Sequence, residues 1–316
     1  MRAVRNTTDG IAVVDVPEPE GPGVVVEPAA VGICGSDLHI ASMGPSPVTI
    51  GHEIAGHVAG TAEGRPVAIQ PFGFCRECDE CLAGRQQMCT VGTGRLHGVH
   101  VDGGMADLLL VDERCVVELP AGVEVEDAFL VEPIGVAVHA ANLARLEPGM
   151  RVAVVGAGSI GLLQGAVVRD RGIDVDITAR HDTQRSVADR LGLHPAVSGG
   201  YDVVFDAAGT ESSLTEAVAM VGRGGTVVVP AIYWGPVTLP GLPVALKEVT
   251  LQPSVYWGCH DGRRDTDVAA EVLAGLPDLA DALITHRFPL DRAAEAFATA
   301  ADRSSGAIKV VIEPRS

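Results

Sequence analysis

The sequence predicts an α/β fold in which a doubly wound parallel sheet is joined to a β-rich domain. From residue 152, short apolar runs alternate with helical segments over roughly 120 residues, which is typical of repeated strand–helix–strand units. Before about residue 130, short apolar runs are broken by glycine and proline, which indicates short strands and long loops. A glycine-rich turn at residues 156–161 follows a strand and opens a helix, as the α/β part requires.

Composition and charge exclude several classes of protein. The chain has 316 residues, of which 47% are hydrophobic and 20% charged, enough to bury a sizeable core. Its net charge of −18 argues against nucleic acid and anionic membranes as partners, because both require a basic surface. No run reaches the roughly 18 apolar residues of a membrane span, and polar residues follow the N-terminal arginines. We therefore expect a cytoplasmic protein.

The α/β part is expected to contain five strands and three helices. Strands are expected at 152–155, 175–178, 203–206, 226–230 and 249–252, and helices at 138–146, 160–171 and 185–191. Only nine residues separate Gly192 from Asp202, and a parallel crossover with its own helix needs a dozen or more. The third strand should therefore be very short and joined to the fourth by a loop.

The tail is expected to return to the first domain. Between 258 and 316 we expect one amphipathic helix, at 291–301, and a last strand at 308–312. The predicted division is a catalytic domain of residues 1–136 and 258–316 and a dinucleotide-binding domain of residues 137–257.

The glycine turn carries a dinucleotide-binding pattern. Gly156, Gly158 and Gly161 permit a tight turn, a close approach of the pyrophosphate and close packing of helix on strand. Ser159 and Ile160 open the helix, whose N-terminal N–H groups favour an anion. These five residues are candidate cofactor contacts in a Rossmann-type domain.

The end of the second strand of this domain bears on the choice of cofactor. An NAD-dependent enzyme places an acidic residue there, but residues 177–181 read I-T-A-R-H. Arg180 can instead pair with the 2′-phosphate of NADP, and Arg185 lies close by in the sequence. The alternative is that Arg180 is a surface residue and Asp182 binds the ribose of NAD. We expect NADP(H) to be preferred.

Four cysteines predict a structural metal site. Cys75, Cys78, Cys81 and Cys89 have the spacing C-x2-C-x2-C-x7-C in a loop at about 73–92. Four thiolates close a tetrahedral shell around Zn²⁺ and leave no position for substrate. Such a cluster in a long chain without a secretion signal favours metal over disulfides.

A second set of metal-binding residue types lies near the N-terminus. Cys34 is followed closely by Asp37, and His52 is followed directly by Glu53. A thiolate, an imidazole and carboxylates suit zinc, and three protein ligands with an open fourth position are typical of a catalytic site. Glu132 precedes a proline at the expected domain junction and is either a further ligand or an ordinary surface carboxylate.

These motifs together resemble the zinc-dependent medium-chain dehydrogenase/reductase family, which includes the alcohol and polyol dehydrogenases. The resemblance covers essentially the whole chain. It rests on the four-cysteine loop, the glycine turn and four further blocks: residues 32–37, 51–53, 132–139 and 307–311. It implies a GroES-like catalytic domain beside the Rossmann-type domain, two zinc ions per chain, and a homodimer or homotetramer. The apolar run 226–240 is where the cofactor domains could pair edge to edge.

The resemblance also implies the metal ligands. Cys34 and His52 would bind the catalytic zinc, and the third ligand would be either Glu53 or Glu132. Glutamate at the position of Glu132 is similar to the polyol and sugar dehydrogenase branch, whereas alcohol dehydrogenases of the best-known type have cysteine there.

The resemblance implies a catalytic role for three further residues. Asp37 would orient the ligands, and Ser36 with His39 would form the proton relay. The expected activity is hydride transfer between NADP(H) and a secondary alcohol, polyol or cyclitol, or the matching ketone. Two alternatives are a zinc-containing reductase of C=N or activated C=C bonds and a non-catalytic cofactor-binding protein.

Overall fold

The chain forms two compact units in a computed structural model that describes residues 1–60, 64–92, 95–196 and 199–316. One unit combines Met1–Glu132 with Asp261–Ser316, and the other is Pro133–His260. Within the described ranges, no helix has the length and apolar character needed to cross a membrane.

The first unit begins with short strands, as its sequence predicts. The strands before the second unit are β1 (Arg2–Thr7), β2 (Gly10–Asp15), β3 (Val24–Gly32), β4 (Glu53–Val58), β5 (Arg65–Ile69), β6 (Leu109–Val111) and β7 (Val116–Glu118). Two short helices lie among them, α1 (Gly35–Ser42) and α2 (Asp79–Leu82).

The second unit alternates strands and helices. Its elements, with the helix that leads into it, are α3 (Val131–Leu143), β8 (Val152–Val155), α4 (Ser159–Asp170), β9 (Val175–Thr178), α5 (Asp182–Arg190), β10 (His194–Pro195), β11 (Tyr201–Asp206), α6 (Glu211–Met220), β12 (Val221–Val229), α7 (Gly241–Lys247), β13 (Thr250–Pro253) and β14 (Cys259–His260).

The C-terminal segment completes the first unit. It contains β15 (Arg263–Arg264), α8 (Asp265–Gly275), α9 (Leu279–Leu283), β16 (Ile284–Pro289), α10 (Ala293–Ala301) and β17 (Lys309–Glu313). Strand β17 pairs with β3 through Val311 and Gly32, and Gly32 is in turn paired with Glu53 of β4. This register aligns Val311 with Glu53 across Gly32, and Lys309, two residues before Val311, lies on the same face of β17.

The main sheet of the first unit has the strand order β16-β17-β3-β4-β5-β7 among the described residues, and β6 pairs with β3. Only β16 and β17 run parallel to each other in that set. Buried aliphatic side chains from β3, β4, β5 and β17 pack with Phe297 of α10 to form the core.

The sheet of the second unit has the order β10-β9-β8-β11-β12-β13 and is parallel throughout its described strands. This is the doubly wound arrangement, in which the strand order reverses between the first and fourth strands of the domain, here β8 and β11. All four residues of β8 are buried, as expected where helices cover both faces of a parallel sheet. The predicted fold class is confirmed.

The short third strand of this domain is also confirmed. Strand β10 has two residues and pairs in parallel with β9. Part of the predicted loop that follows, residues 197–198, lies outside the described residues.

Three expectations about elements were wrong. Helix α3 begins at Val131 rather than 138, because Pro133 falls in its first turn, where proline is tolerated. The tail holds α8 and α9 besides α10; the alanines of α8 weaken the apolar periodicity that would have predicted it. Within the run 226–240, the strand portion lies between β11 and β13, so the free edge belongs to β13 instead.

Candidate active site

Asp37 connects the two residues expected to bind the catalytic metal. Cys34 precedes the first turn of α1, and its backbone N–H donates to Asp37 Oδ2 over 2.9 Å. The other carboxylate oxygen of Asp37 lies 3.1 Å from Nδ1 of His52. Asp37 and His52 are both buried, so a single carboxylate links the backbone of Cys34 to the imidazole of His52.

His52 presents its second ring nitrogen to the relay candidate. Ser36 Oγ lies 3.3 Å from His52 Nε2. Burial lowers the pKa of His52, but the charge of Asp37 and contacts with Asp37 and Cys34 raise it well above its ordinary value. Because Nδ1 faces the Asp37 carboxylate, Nε2 is the nitrogen available to a metal, which is how a carboxylate partner orients a histidine ligand.

Glu53 is held by a lysine from the C-terminal strand. Lys309 Nζ donates to both carboxylate oxygens of Glu53, over 2.7 and 2.8 Å, and also contacts the carbonyl oxygen of Ile33. The two charged side chains are 3% and 1% exposed. A Cβ built on Gly32 would lie 2.0 Å from Glu53 Oε2, so glycine is required for Glu53 to occupy this position.

Glu132 is the second carboxylate of the site and lacks a comparable ion pair with Lys309. Burial raises the pKa of Glu132 to about 8, and the negative charges of Glu53 and Asp37 add to this effect. His52 and Lys309 act in the opposite direction. A buried carboxylate in this electrostatic setting favours a bound cation or a proton.

The donor types of this cluster fit zinc, although the ligand atoms are not yet gathered around one point. In the described parts of the chain, only the cysteines of the four-cysteine loop bring three or more potential ligand atoms of Cys, His, Asp or Glu within 4.8 Å of one another. Zinc binds sulfur at about 2.3 Å and nitrogen at about 2.0–2.1 Å. Binding by Cys34 and His52 with a carboxylate would therefore draw these side chains closer together.

The four-cysteine loop already has the geometry of a closed metal site. The Sγ atoms of Cys75, Cys78, Cys81 and Cys89 all lie within 4.8 Å of one another. Backbone N–H groups point at two of the sulfurs: those of Glu77 and Cys78 at Cys75, and those of Cys75 and Gly92 at Cys89. Such N–H donors stabilise thiolates, the form of cysteine that binds metal.

The pKa values of the loop follow from this arrangement. Burial raises the pKa of Cys89, but backbone N–H donors from Cys75, Gly92 and Val91 lower it overall to about 6. Burial and neighbouring cysteines raise the pKa of Cys81 to about 12. Four thiols crowded together ionise fully only around a cation, so the donor set fits Zn²⁺.

The glycine turn has the conformation expected of a dinucleotide site. Gly156 adopts a φ of 97°, and its N–H donates to Thr178 Oγ1 at the end of β9. A Cβ on Gly161 would lie 1.8 Å from the carbonyl oxygen of Gly156. A Cβ on Gly158 would meet no heavy atom of the described chain within 4 Å. Packing therefore requires glycine at 161, whereas at 158 the open space leaves room for a close ligand.

The start of α4 offers donors to that ligand. Ser159 and Ile160 form its first turn, and the helix has no side-chain N-terminal cap. The N–H groups of this turn are thus available to an anion such as a pyrophosphate.

Comparison with known proteins decides the family. Residues 21–121 match the alcohol dehydrogenase GroES-like domain, and residues 125–313 match the glucose dehydrogenase C-terminus. L-galactonate-5-dehydrogenase of Escherichia coli K12 is 30% identical, over 90% of this chain and 89% of its own length. Probable D-xylulose reductase A of Aspergillus clavatus is 32% identical, over 84% of each chain.

The chain belongs to the zinc-dependent medium-chain dehydrogenase/reductase family. It is an oxidoreductase of the alcohol dehydrogenase type. A zinc-binding dehydrogenase from Sinorhizobium meliloti 1021, solved bound to NADP, matches 99% of this chain and 99% of its own with a TM-score of 0.84 and 29% identity.

In this chain, the residues after β9 bear on the choice between NAD and NADP. Arg180 is 70% exposed, and its Nη2 lies 3.9 Å from Oε2 of Glu216, a loose ion pair at the surface. Arg185 donates to the carbonyl oxygens of Ala179 and Arg180 and pairs with Asp182. Arg185 therefore shapes the turn, and Arg180 is the guanidinium that extends from it into solvent.

Lys309 is a functional residue that the sequence motifs alone do not reveal, although it lies within the family block 307–311. A signal was present, because a lysine flanked by Ala307, Ile308, Val310 and Val311 sits in an apolar strand, and a buried lysine needs an anionic partner. The partner could not be inferred, because Glu53 lies 256 residues earlier.

Proposed function

We propose that this dehydrogenase interconverts a secondary alcohol of a polyol or sugar acid and the matching ketone, with NADP(H) as the preferred hydride carrier. The observation that carries the proposal is the cluster in which Asp37 contacts both Cys34 and His52 beside Ser36. The relatives named for L-galactonate and D-xylulose support a polyhydroxylated substrate. Cyclitols are tested within the same substrate class.

The zinc ligands in this proposal are Cys34 and His52 together with Glu53 or Glu132. A zinc ion held there supplies a Lewis acid that polarises the substrate oxygen and favours loss of the hydroxyl proton. Asp37 keeps His52 in the orientation that binds metal. Glu53 is available as a ligand only when it leaves Lys309, whereas no ion pair holds Glu132 in the described part of the chain.

Ser36 and His39 handle the proton. Ser36 Oγ lies next to His52 Nε2; during oxidation it accepts the proton of the substrate hydroxyl while its own hydroxyl proton is passed on toward His39. His39 is partly exposed and lies one turn further along α1, where it exchanges that proton with solvent. In the direction of ketone reduction, the same two residues deliver a proton to the substrate oxygen.

Arg180 supports the preference for NADP(H). Its exposed guanidinium follows β9 at the place where an NAD enzyme has a carboxylate, and a 2′-phosphate is a strong partner for such a group. Arg180→Ala should raise the KM for NADP roughly tenfold or more and leave the KM for NAD nearly unchanged. Arg223→Ala is the matched control, since Arg223 is an exposed arginine of β12.

The protein is proposed to form homodimers or homotetramers in which the β13 edge of the second unit is covered by a second copy. Strand β13 pairs with β12 on one side in the described sheet, and Leu239, Leu242 and Leu246 nearby are 45%, 70% and 65% exposed. An open strand edge beside exposed leucines is a site of association. Leu242→Glu with Leu246→Glu should lower the mass measured by light scattering, and Met43→Glu, at an exposed apolar residue of the first unit, serves as control.

Initial rates test the proposed activity. NADP and NAD are compared on polyols, sugar acids, cyclitols and simple secondary alcohols, with and without a zinc chelator. Chelator-sensitive turnover that favours NADP and polyhydroxylated substrates supports the proposal. No turnover on any alcohol, in protein shown to hold two zinc ions, would replace it with reduction of a C=N or activated C=C bond.

A further inference from the structure

Asp206 and Tyr233 form a buried contact that no catalytic step above uses. Asp206 is the last residue of β11 and is fully buried. Its Oδ2 accepts a hydrogen bond from the Tyr233 hydroxyl over 2.5 Å. Its Oδ1 accepts from the backbone N–H groups of Ala208 and Gly209 over 3.1 and 3.2 Å. One carboxylate therefore ties together the turn after β11 and the segment after β12.

The turn after β11 packs on the glycine turn, and it also packs on the segment after β12. A Cβ on Gly156 would lie 2.8 Å from Cβ of Ala208, so the turn after β11 packs directly on the dinucleotide turn. A Cβ on Gly209 would lie 2.9 Å from Cβ of Ala231 and 3.0 Å from the carbonyl oxygen of Ile232. The three segments form one continuous rim at the carboxyl ends of β8, β11 and β12.

The position of this rim indicates which half of the cofactor it faces. A dinucleotide lies across the crevice where the strand order reverses, here between β8 and β11. The glycine turn and β9 serve the adenosine half, so the ends of β11 and β12 serve the nicotinamide half. Asp206 and Tyr233 therefore hold the backbone on the nicotinamide side.

We propose that Tyr233, through its hydrogen bond to Asp206, is a positioning residue for the nicotinamide half of the cofactor. It fixes the turn of residues 207–209 against residues 231–232, so that the backbone of both segments is preformed when the nicotinamide arrives. The inference rests on the proposed binding of NADP(H). Preformed loops bind more tightly because less conformational freedom is lost on binding.

The chemistry of the pair suits this role. Burial and the Asp206 carboxylate raise the pKa of Tyr233 above its ordinary value, so the phenol remains a hydrogen-bond donor across the working pH range. A hydrogen bond to a charged acceptor is stronger than one between neutral groups. Tyr233 also packs its ring against the apolar core of the second unit, which limits where the hydroxyl can lie.

The test compares the whole cofactor with its adenine half in the zinc-loaded protein. Kd values for NADPH and for adenosine 2′,5′-bisphosphate are measured by calorimetry in wild type and in Tyr233→Phe. We expect NADPH to bind roughly fivefold to twentyfold more weakly to the variant and the bisphosphate to bind as in wild type. In steady state, the KM for NADPH should rise more than kcat falls.

A matched control is the tyrosine at the opposite, amino-terminal end of β11. The Tyr201 hydroxyl donates to Asp176 Oδ2 over 2.6 Å, and Tyr201 begins β11 at the end away from the glycine turn. Tyr201→Phe should leave the ratio of the two Kd values unchanged. If Tyr233→Phe fails to fold, Asp206→Asn is measured instead, with the same expected selective loss of NADPH affinity.

Two results would overturn the inference. Equal weakening of NADPH and of the bisphosphate would show a general structural role, and unchanged binding of both would show that the hydrogen bond does not position the cofactor. If wild type binds neither NADPH nor the bisphosphate, the proposed NADP preference fails. The positioning role is then decided by the same comparison with NADH and AMP.

Discussion

Replacement of Lys309 by methionine tests the buried ion pair between Lys309 and Glu53. Methionine keeps an unbranched apolar stem of similar length and removes the ammonium that contacts both oxygens of Glu53. The Glu53 carboxylate would then be buried, 1% exposed, without its cationic partner. Removing one partner of a buried pair is strongly destabilising, because the remaining charge cannot be solvated.

The expected loss is about 3–5 kcal/mol in the free energy of unfolding of zinc-free protein. For domains of 150–250 residues, each kcal/mol lowers Tm by about 2–4 °C, so a decrease of roughly 6–20 °C is expected. The loss should be smaller at pH 5 than at pH 8, because an unpaired buried glutamate can take up a proton. Circular dichroism during thermal and urea unfolding, with chelator present, measures both quantities.

Two further variants make this test specific. Glu53→Gln combined with Lys309→Met removes both charges and should regain most of the stability. Lys247→Met is the control, because Lys247 Nζ donates to the carbonyl oxygens of Val218, Ala219 and Val221. Its loss should not depend on pH between 5 and 8. The reasoning is refuted if Lys309→Met stays within about 1 kcal/mol of wild type, or if the double variant is no more stable than the single.

Three other outcomes are expected. Glu132 has a folded-state pKa of about 8 against an ordinary 4.5, so between these pH values the folded zinc-free protein binds more protons than the unfolded chain. Its free energy of unfolding should therefore fall as pH rises from 4.5 to 8. Glu132→Gln should flatten this pH dependence, measured by urea unfolding. Ser36→Ala should lower kcat about a hundredfold while zinc measured by mass spectrometry stays at two per chain, and unchanged kcat would contradict the relay. Cys78→Ser should lose one zinc ion and destabilise the loop or weaken assembly, whereas Cys115→Ser should keep both ions; loss of hydride transfer in a folded, assembled Cys78→Ser protein would show that the loop acts in the chemistry.

The local motifs could be predicted from the sequence because their geometry is set by adjacent residues. The spacing of Cys75, Cys78, Cys81 and Cys89 lets a short loop fold back on itself, and the structure gathers these sulfurs as predicted. The glycine turn is equally local, since Gly156 and Gly161 meet across five residues. The two-residue strand β10 followed from the number of residues available between Gly192 and Asp202.

Elements with diluted patterns were harder to predict. Helix α8 buries one face, but that face carries Asp265, Thr266 and two alanines, so it does not form a strongly apolar stripe. The position of the free sheet edge could not be inferred either, because strand order depends on which crossovers the chain makes. The structure places β13 at the edge and β12 inside.

Local sequence patterns were enough to predict the fold class, the family, the cysteine loop and the residue types at the candidate active site. Which of those residues touch became known only from the folded chain: Asp37 contacts both Cys34 and His52, and Lys309 neutralises Glu53. Local patterns specify turns and helices, whereas contacts between distant segments are set by strand register. Strand β17 brings its lysine to Glu53 only because it pairs with β3 next to β4.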